Sequence, residues 1–171
     1  GWLPEGNLGK IAIAVADSSP NVVYAAIGGE AGGLYRSEDR GLSWTRVNDI
    51  RTSYWYGNIY VDPKNENRLW VMGTPLSVSI DGGRTFEKEW TAEGIHPDHH
   101  AMWINPNNTD HMLLGNDGGF HVTYDGARTW RFLNNLPIAQ YYVIGIDDRD
   151  PYHVYGGLQD NGTWSIPSRT F

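Results

Sequence analysis

A unit of about 43 residues recurs four times along the chain, and that period restricts the fold more than any other property of the sequence. Four segments align: IAIAVADSSPNVVYAAIG, NIYVDPKNENRLWVMG, AMWINPNNTDHMLLG and YVIGIDDRDPYHVYGG. Each reads as a strand, a turn rich in Asp, Asn or Pro, a second strand and a glycine. The turns open on Asp17, Asp62, Asn105 and Asp147, 42 to 45 residues apart. A second element follows each of the first three segments: RSEDRGLSW, VSIDGGRTF and VTYDGARTW. Its aspartates Asp39, Asp81 and Asp125, and its closing aromatics Trp44, Phe86 and Trp130, are spaced by 42 and 44 residues.

Two independent markers thus share the period of a four-stranded propeller blade. The chain is predicted to be all-β: a β-propeller of about four blades, near 11–50, 56–90, 99–133 and 141–171, in one propeller portion spanning 1–171. Composition agrees, with 21 Gly and 9 Pro among 171 residues and no sustained helical periodicity.

Charge and composition remove several function classes. Thirteen Lys and Arg against 20 Asp and Glu leave a net charge of −7, which argues against nucleic acid as a partner. No apolar run approaches the ~20 residues of a membrane-spanning helix; the longest, 11–16, is strand-sized. The absence of cysteine excludes disulfides, thiolate catalysis and zinc–thiolate sites. The first residue is Gly1 and no signal peptide is visible, so a trimmed or excised piece is expected.

The second element has its own physical logic. An Asp side chain accepts hydrogen bonds from the backbone of its own turn, and a Ser or Thr hydroxyl adds a further local partner. Glycine supplies a left-handed backbone position, and the aromatic packs its face on the sheet. Ser37, Asp39, Gly41, Ser43 and Trp44 fill this pattern; so do Ser79, Asp81, Gly83, Thr85 and Phe86. In the third copy Thr123, Asp125, Thr129 and Trp130 fill it, with Ala127 in place of glycine. The pattern resembles the Asp-box, or bacterial neuraminidase repeat, and its residues are read as structural rather than catalytic or calcium-binding.

The strings HPDHHAMWINP, LLGNDGGFHVTYDGARTW, NNLPIAQYY and YGGLQDNGTW extend the likeness. Together they resemble bacterial sortilin-like Asp-box propeller proteins, often labelled glycosyl hydrolase-like. The resemblance covers nearly the whole chain and implies an extracytoplasmic protein, periplasmic or secreted. It also implies more than four blades, so that this chain is part of a larger propeller whose remainder, or a partner, covers the open edges. It leaves activity open: sortilins bind peptides, sialidases and xyloglucanases are enzymes, and an assembly factor of photosystem II binds proteins.

Strand alternation sorts the loops into two ends. The Asx/Pro turns and the boxed hairpins are expected at one end, and the loops carrying unusual residues at the other. That second end is the predicted ligand-binding face, with Arg51, Tyr54, Trp55, His96, Asp98, His99, His100, Asn116, Asp117, Gln159, Asp160 and Asn161 as its candidates. The string HPDHH is the sharpest local group. Imidazoles and a carboxylate suit a divalent transition metal, but the spacing matches no helical zinc motif. The favoured reading is a hydrogen-bonded loop anchor, with ligand contact and metal as alternatives; no metal or other cofactor is expected. Tyr54, Trp55 and Tyr56 either stack on a sugar, clamp a peptide or pack between blades.

Glycosidase chemistry needs two carboxyl groups about 5–9.5 Å apart. Glu30, Glu93, Asp98, Asp117 and Asp160 fall on the permitted end, and nothing in the sequence pairs any two. Arg51 is the only clear arginine candidate there, so a sialidase arginine cluster is incomplete. The expected function is a non-catalytic propeller that binds a protein or peptide or serves as a structural subunit. The alternative is a propeller portion of a carbohydrate-active glycoside hydrolase, sialidase- or xyloglucanase-like, for which carbohydrate is the ligand.

Overall fold

A computed structural model describes residues 4–52, 57–88, 95–136 and 138–169. Fifteen strands form four antiparallel sheets, with no helix among the described residues. The first sheet takes β1 (Ile11–Val15), β2 (Val23–Ile27), β3 (Gly33–Ser37) and β4 (Thr45–Asn48) in sequence order. The second takes β5 (Ile59–Asp62), β6 (Asn65–Val71), β7 (Ser77–Ser79) and β8 (Glu87–Lys88). The third takes β9 (His99–Ile104), β10 (Met112–Asn116), β11 (Gly119–Thr123) and β12 (Arg131–Phe132). The fourth has three strands, β13 (Tyr141–Ile146), β14 (His153–Leu158) and β15 (Thr163–Pro167).

This all-β, sequential architecture is that of propeller blades, as the period predicts. The chain forms two compact units, Gly1–Leu133 with three sheets and Asn134–Phe171 with the fourth.

Within the first unit the sheets pack face to face through two apolar layers. Ala16, Tyr24, Ala26 and Leu34 meet Ile59, Leu69 and Val71 between sheets one and two. Trp70, Met72, Leu76 and Val78 meet Met102, Met112 and Leu114 between sheets two and three. The three methionines are core residues. Strand β2 is buried throughout because both of its faces are covered, which is why it reads as a continuous apolar run. The closing aromatic of each hairpin packs on the same side of its sheet: Phe86 in the first layer, Trp130 in the second, and Trp44 against Ala25, Ile27 and Tyr35.

The three boxed hairpins share one design. In each, the Ser or Thr hydroxyl donates to the aspartate at 2.7–2.8 Å. The aspartate accepts from the backbone N–H four residues on at 2.8–2.9 Å and from that residue's hydroxyl at 2.5–2.6 Å. The residue after the aspartate donates its backbone N–H to the same blade's first turn or the start of its second strand: Arg40 to Asn21, Gly82 to Asn67 and Gly126 to Asp110. Each hairpin therefore lies at the end of its sheet that carries the first turn. Cross-blade bonds join these ends, with Arg36 Nη1 donating to Asn67 Oδ1 at 2.7 Å and Arg68 Nη2 to the Gly126 carbonyl at 3.0 Å.

One alignment shifts. In the third and fourth sheets Asn105 and Asp147 close the first turn by donating their N–H to the carbonyl six residues on. In the first sheet Ala16 makes that bond, to Val22, so Asp17 sits one residue beyond the structural equivalent. The backbone closes this turn without an Asx side chain at its opening position.

Candidate functional site

Three loops opposite the boxed hairpins, 73–76, 95–98 and 116–119, meet at the start of β9. Asp98 has φ 66, a left-handed position unusual for a non-glycine residue, and it turns the chain sharply into the strand. Two consecutive side chains then point to opposite faces: His99 is fully buried, while His100 is exposed. His100 Nε2 lies 2.6 Å from Asp117 Oδ1, so the HPDHH and GNDGG loops meet. A Cβ placed on Gly118 would lie 2.5 Å from His96 Cβ, which makes glycine a requirement of that close approach. His96 Nδ1 itself lies 3.0 Å from the Pro97 carbonyl.

The second sheet closes the site on one side. The Thr74 hydroxyl hydrogen-bonds the Asp98 carboxylate. The His99 backbone N–H donates to the Gly73 carbonyl at 3.1 Å, and Asn58 Nδ2 donates to the His100 carbonyl at 2.8 Å. Asp98 and Asp117 thus stand on the same end of the third blade, each engaged by a polar neighbour. Asn116 holds the turn, its side-chain oxygen accepting from the Gly118 N–H at 3.1 Å.

Beneath this surface lie two histidines. Neither ring nitrogen of His99 has a hydrogen-bond partner. Burial pulls its pKa down to about 4, reinforced by His121 and opposed by Asp98. His121 on β11 is also buried, and burial lowers its pKa too, followed by the influence of His96. Its ring lies 5.1 Å from that of Phe132, and its Nδ1 lies 3.4 Å from Asn116 Nδ2. The sequence reading missed His121; the signal was its inward position opposite Leu114 in the ladder.

The other candidates are placed apart. Arg51 is exposed and precedes Thr52, which is buried with its hydroxyl donating to the Lys10 carbonyl at 2.6 Å. Arg51 follows β4 at the loop end of the first sheet. Tyr54, Trp55, Tyr56 and Glu93 lie outside the described residues. Gln159, Asp160 and Asn161 form the β14–β15 turn of the second unit, where the Gly162 carbonyl accepts from the Leu158 N–H and Asn161 Nδ2 donates to the Gln159 carbonyl. Among the described residues, no group of three or more His, Cys, Asp or Glu is arranged to hold a metal ion.

The carboxylates with strongly lowered pKa lie in the turns instead. Asp39, Asp81 and Asp125 are each brought to about 2, first by the hydroxyl of the closing Ser or Thr and then by its backbone N–H. Asp147 is brought to about 2, mainly by the His153 backbone N–H and also by the Tyr155 hydroxyl. Each of these carboxylates accepts hydrogen bonds from its own turn, which favours its ionised form.

Sequential four-stranded sheets, packed face to face with their boxed hairpins at one end, define a portion of a β-propeller. Comparisons with known proteins agree on that class. No protein-family model matches the chain. An oligoxyloglucan-reducing end-specific xyloglucanase of Emericella nidulans is 28% identical over 163 residues, covering 81% of this chain and 20% of its own length. A xyloglucanase of Hypocrea jecorina is 28% identical over 185 residues, covering 96% and 20%. The chain therefore spans about one fifth of the curated relatives it matches. Among solved structures, the GH74 enzyme of Niastella koreensis superposes with a TM-score of 0.62 at 16% identity, over 94% of this chain and 28% of that one. YCF48 from Cyanidioschyzon merolae gives 0.54 at 17%, over 97% and 51%, and a structure of YCF48 bound to D1 peptide gives 0.54 at 14%, over 98% and 54%.

Proposed function

We propose that the chain is a non-catalytic, extracytoplasmic propeller portion of the sortilin-like Asp-box kind, contributing a protein- or peptide-binding face. The observation that carries this reading is the state of the two site carboxylates. Asp98 is bound to Thr74 and Asp117 to His100, so both are used to fix loop shape. A rigid sheet end with polar loops held by such bonds suits recognition of a polypeptide. The peptide complex of the structurally similar YCF48 supports the same use of this architecture. By sequence, Arg51, Tyr54, Trp55, Gln159, Asp160 and Asn161 are further candidates for ligand contact.

A second reading is favoured by the two xyloglucanase relatives: this is a segment of a glycan-hydrolysing propeller whose ligand is a xyloglucan-like chain. Titration of the chain with a diverse peptide pool and, separately, with xyloglucan oligosaccharides distinguishes the two. Binding of a selected peptide that weakens at least ~10-fold in Asp117→Asn, about 1.4 kcal/mol, is the expected outcome. Oligosaccharide binding lost in the same variant, or release of reducing ends from xyloglucan, overturns it in favour of the second reading.

A further inference from the structure

Polar groups buried without partners are costly, and His99 is an extreme case: it is fully buried, and both of its ring nitrogens are unsatisfied. The residue also sits at a seam. Its backbone pairs with Asn116 in the β9–β10 ladder and donates to Gly73 of the second sheet. On either side of it, His100 is tied to Asp117 and Asp98 to Thr74. The segment 95–100 is thus stitched both to the turn 116–119 and to the second sheet, with an unpartnered imidazole at the centre of the stitching.

We propose that this end of the third blade is a proton-sensitive latch: charging of His99 releases segment 95–100 from the turn 116–119. An imidazolium at this position is denied water, and most of its electrostatic neighbours carry the same potential charge. Its charged neighbours are His121 from β11 and His96, Asp98 and His100 from its own segment; Asp98 is bonded to Thr74, and Asp117 of the adjoining turn is paired with His100. Asn116 faces His121 from β10, and the second sheet presents the Gly73 carbonyl, which is occupied by the backbone N–H. Neutral His99 is compatible with the closed arrangement; charged His99 gains hydration only by opening it. The direction agrees with its depressed pKa, since acid then favours the state in which the ring is exposed. The consequence for ligand binding rests on the proposed peptide-binding role of these loops; the opening itself does not.

The test uses the 171-residue chain without ligand. Histidine ring resonances and backbone amide exchange are followed by NMR from pH 7.5 to 4, with exchange corrected for the intrinsic pH dependence. The expected result is at least ~10-fold faster exchange at 96–100 and 116–119 as His99 charges, with β2 and β6 amides still protected. His99→Phe, which keeps a planar ring and cannot titrate, is expected to abolish that acceleration. The latch is refuted if His99 titrates near 6.5 with no change in exchange, or if His99→Phe opens over the same pH range. Should that variant not fold, the wild-type exchange profile alone decides, because a uniform loss of protection over the whole first unit also refutes a local latch. Loss of peptide binding plays no part in these readouts, so the failure of the binding role and of the latch are separable.

Discussion

At the scale of single residues, the repeated turn shows how one chemical pattern tolerates a substitution in one copy and forbids it in another. Gly41, Gly83 and Ala127 occupy the same place, with φ values of 86°, 83° and 75°. A side chain is unfavourable there by about 1–2 kcal/mol on backbone grounds alone. Ala127 nevertheless donates its N–H to the Thr123 hydroxyl at 3.1 Å, and its methyl is buried in the layer between sheets two and three. Burial of one methyl contributes roughly 0.8 kcal/mol, which offsets much of the strain. Ala127→Gly is therefore expected to change stability by less than about 1 kcal/mol. At Gly83 a Cβ would lie 2.5 Å from Leu34 Cδ2. Gly83→Ala adds overpacking to strain and is expected to cost about 2–4 kcal/mol. Urea unfolding of both variants checks the contrast, and equal costs would contradict it.

The unit of stability at the next scale is a pair of packed sheets, because no single blade buries its own faces. Trp70 illustrates this: it is fully buried in the layer between sheets two and three, and the guanidinium of Arg68 lies 4.8 Å from its ring centroid. Arg68 in turn reaches the Gly126 carbonyl of the third hairpin and pairs with buried Asp62 at 3.4 Å. Removing the indole leaves a cavity and unseats this arginine. Trp70→Ala is expected to cost about 3–5 kcal/mol. Calorimetry should show the first unit losing cooperativity at lower temperature, whereas an effect under 1 kcal/mol would mean that the layer collapses to fill the void. The exposed Ile11, Ile13 and Val15 lie on the side of the first sheet that in sheets two and three packs against the preceding blade, in keeping with a partial propeller.

For the molecule as a whole, acid should act in two separate windows. His99 has a folded pKa near 4, below its ordinary value of 6.5. The unfolded chain therefore binds this proton more readily, and stability present above pH 6.5 falls away as the pH drops from 6.5 towards 4. Burial of His121 acts in the same direction. Asp39, Asp81, Asp125 and Asp147 have folded values near 2 against 3.8. Their contribution is complete above 3.8 and disappears as the pH falls towards 2. Urea midpoints measured from pH 7.5 to 2.5 should thus decline first between 6.5 and 4, then again below 3.8. His99→Phe should flatten the first decline and leave the second. A single decline confined below pH 4 would contradict the assignment to buried histidine.

Much of this was legible in the chain itself. Repetition at about 43 residues needs no tertiary knowledge to read, and the Ser/Thr–Asp–Ser/Thr pattern names its own hydrogen bonds because donor and acceptor are four residues apart. Local turn chemistry therefore specified the blades and the placement of three hairpins at one end. The one-residue displacement at Ala16 escaped that reading, since a turn closed by backbone bonds leaves no side-chain signature. So did the burial of His99 and the role of His121. Alternation along a strand says that His99 and His100 point in opposite directions, but not which direction is filled. Only the approach of the second sheet, bringing Gly73 and Thr74 against β9, decided that one histidine would lie in water beside a carboxylate and the next would be sealed without a partner.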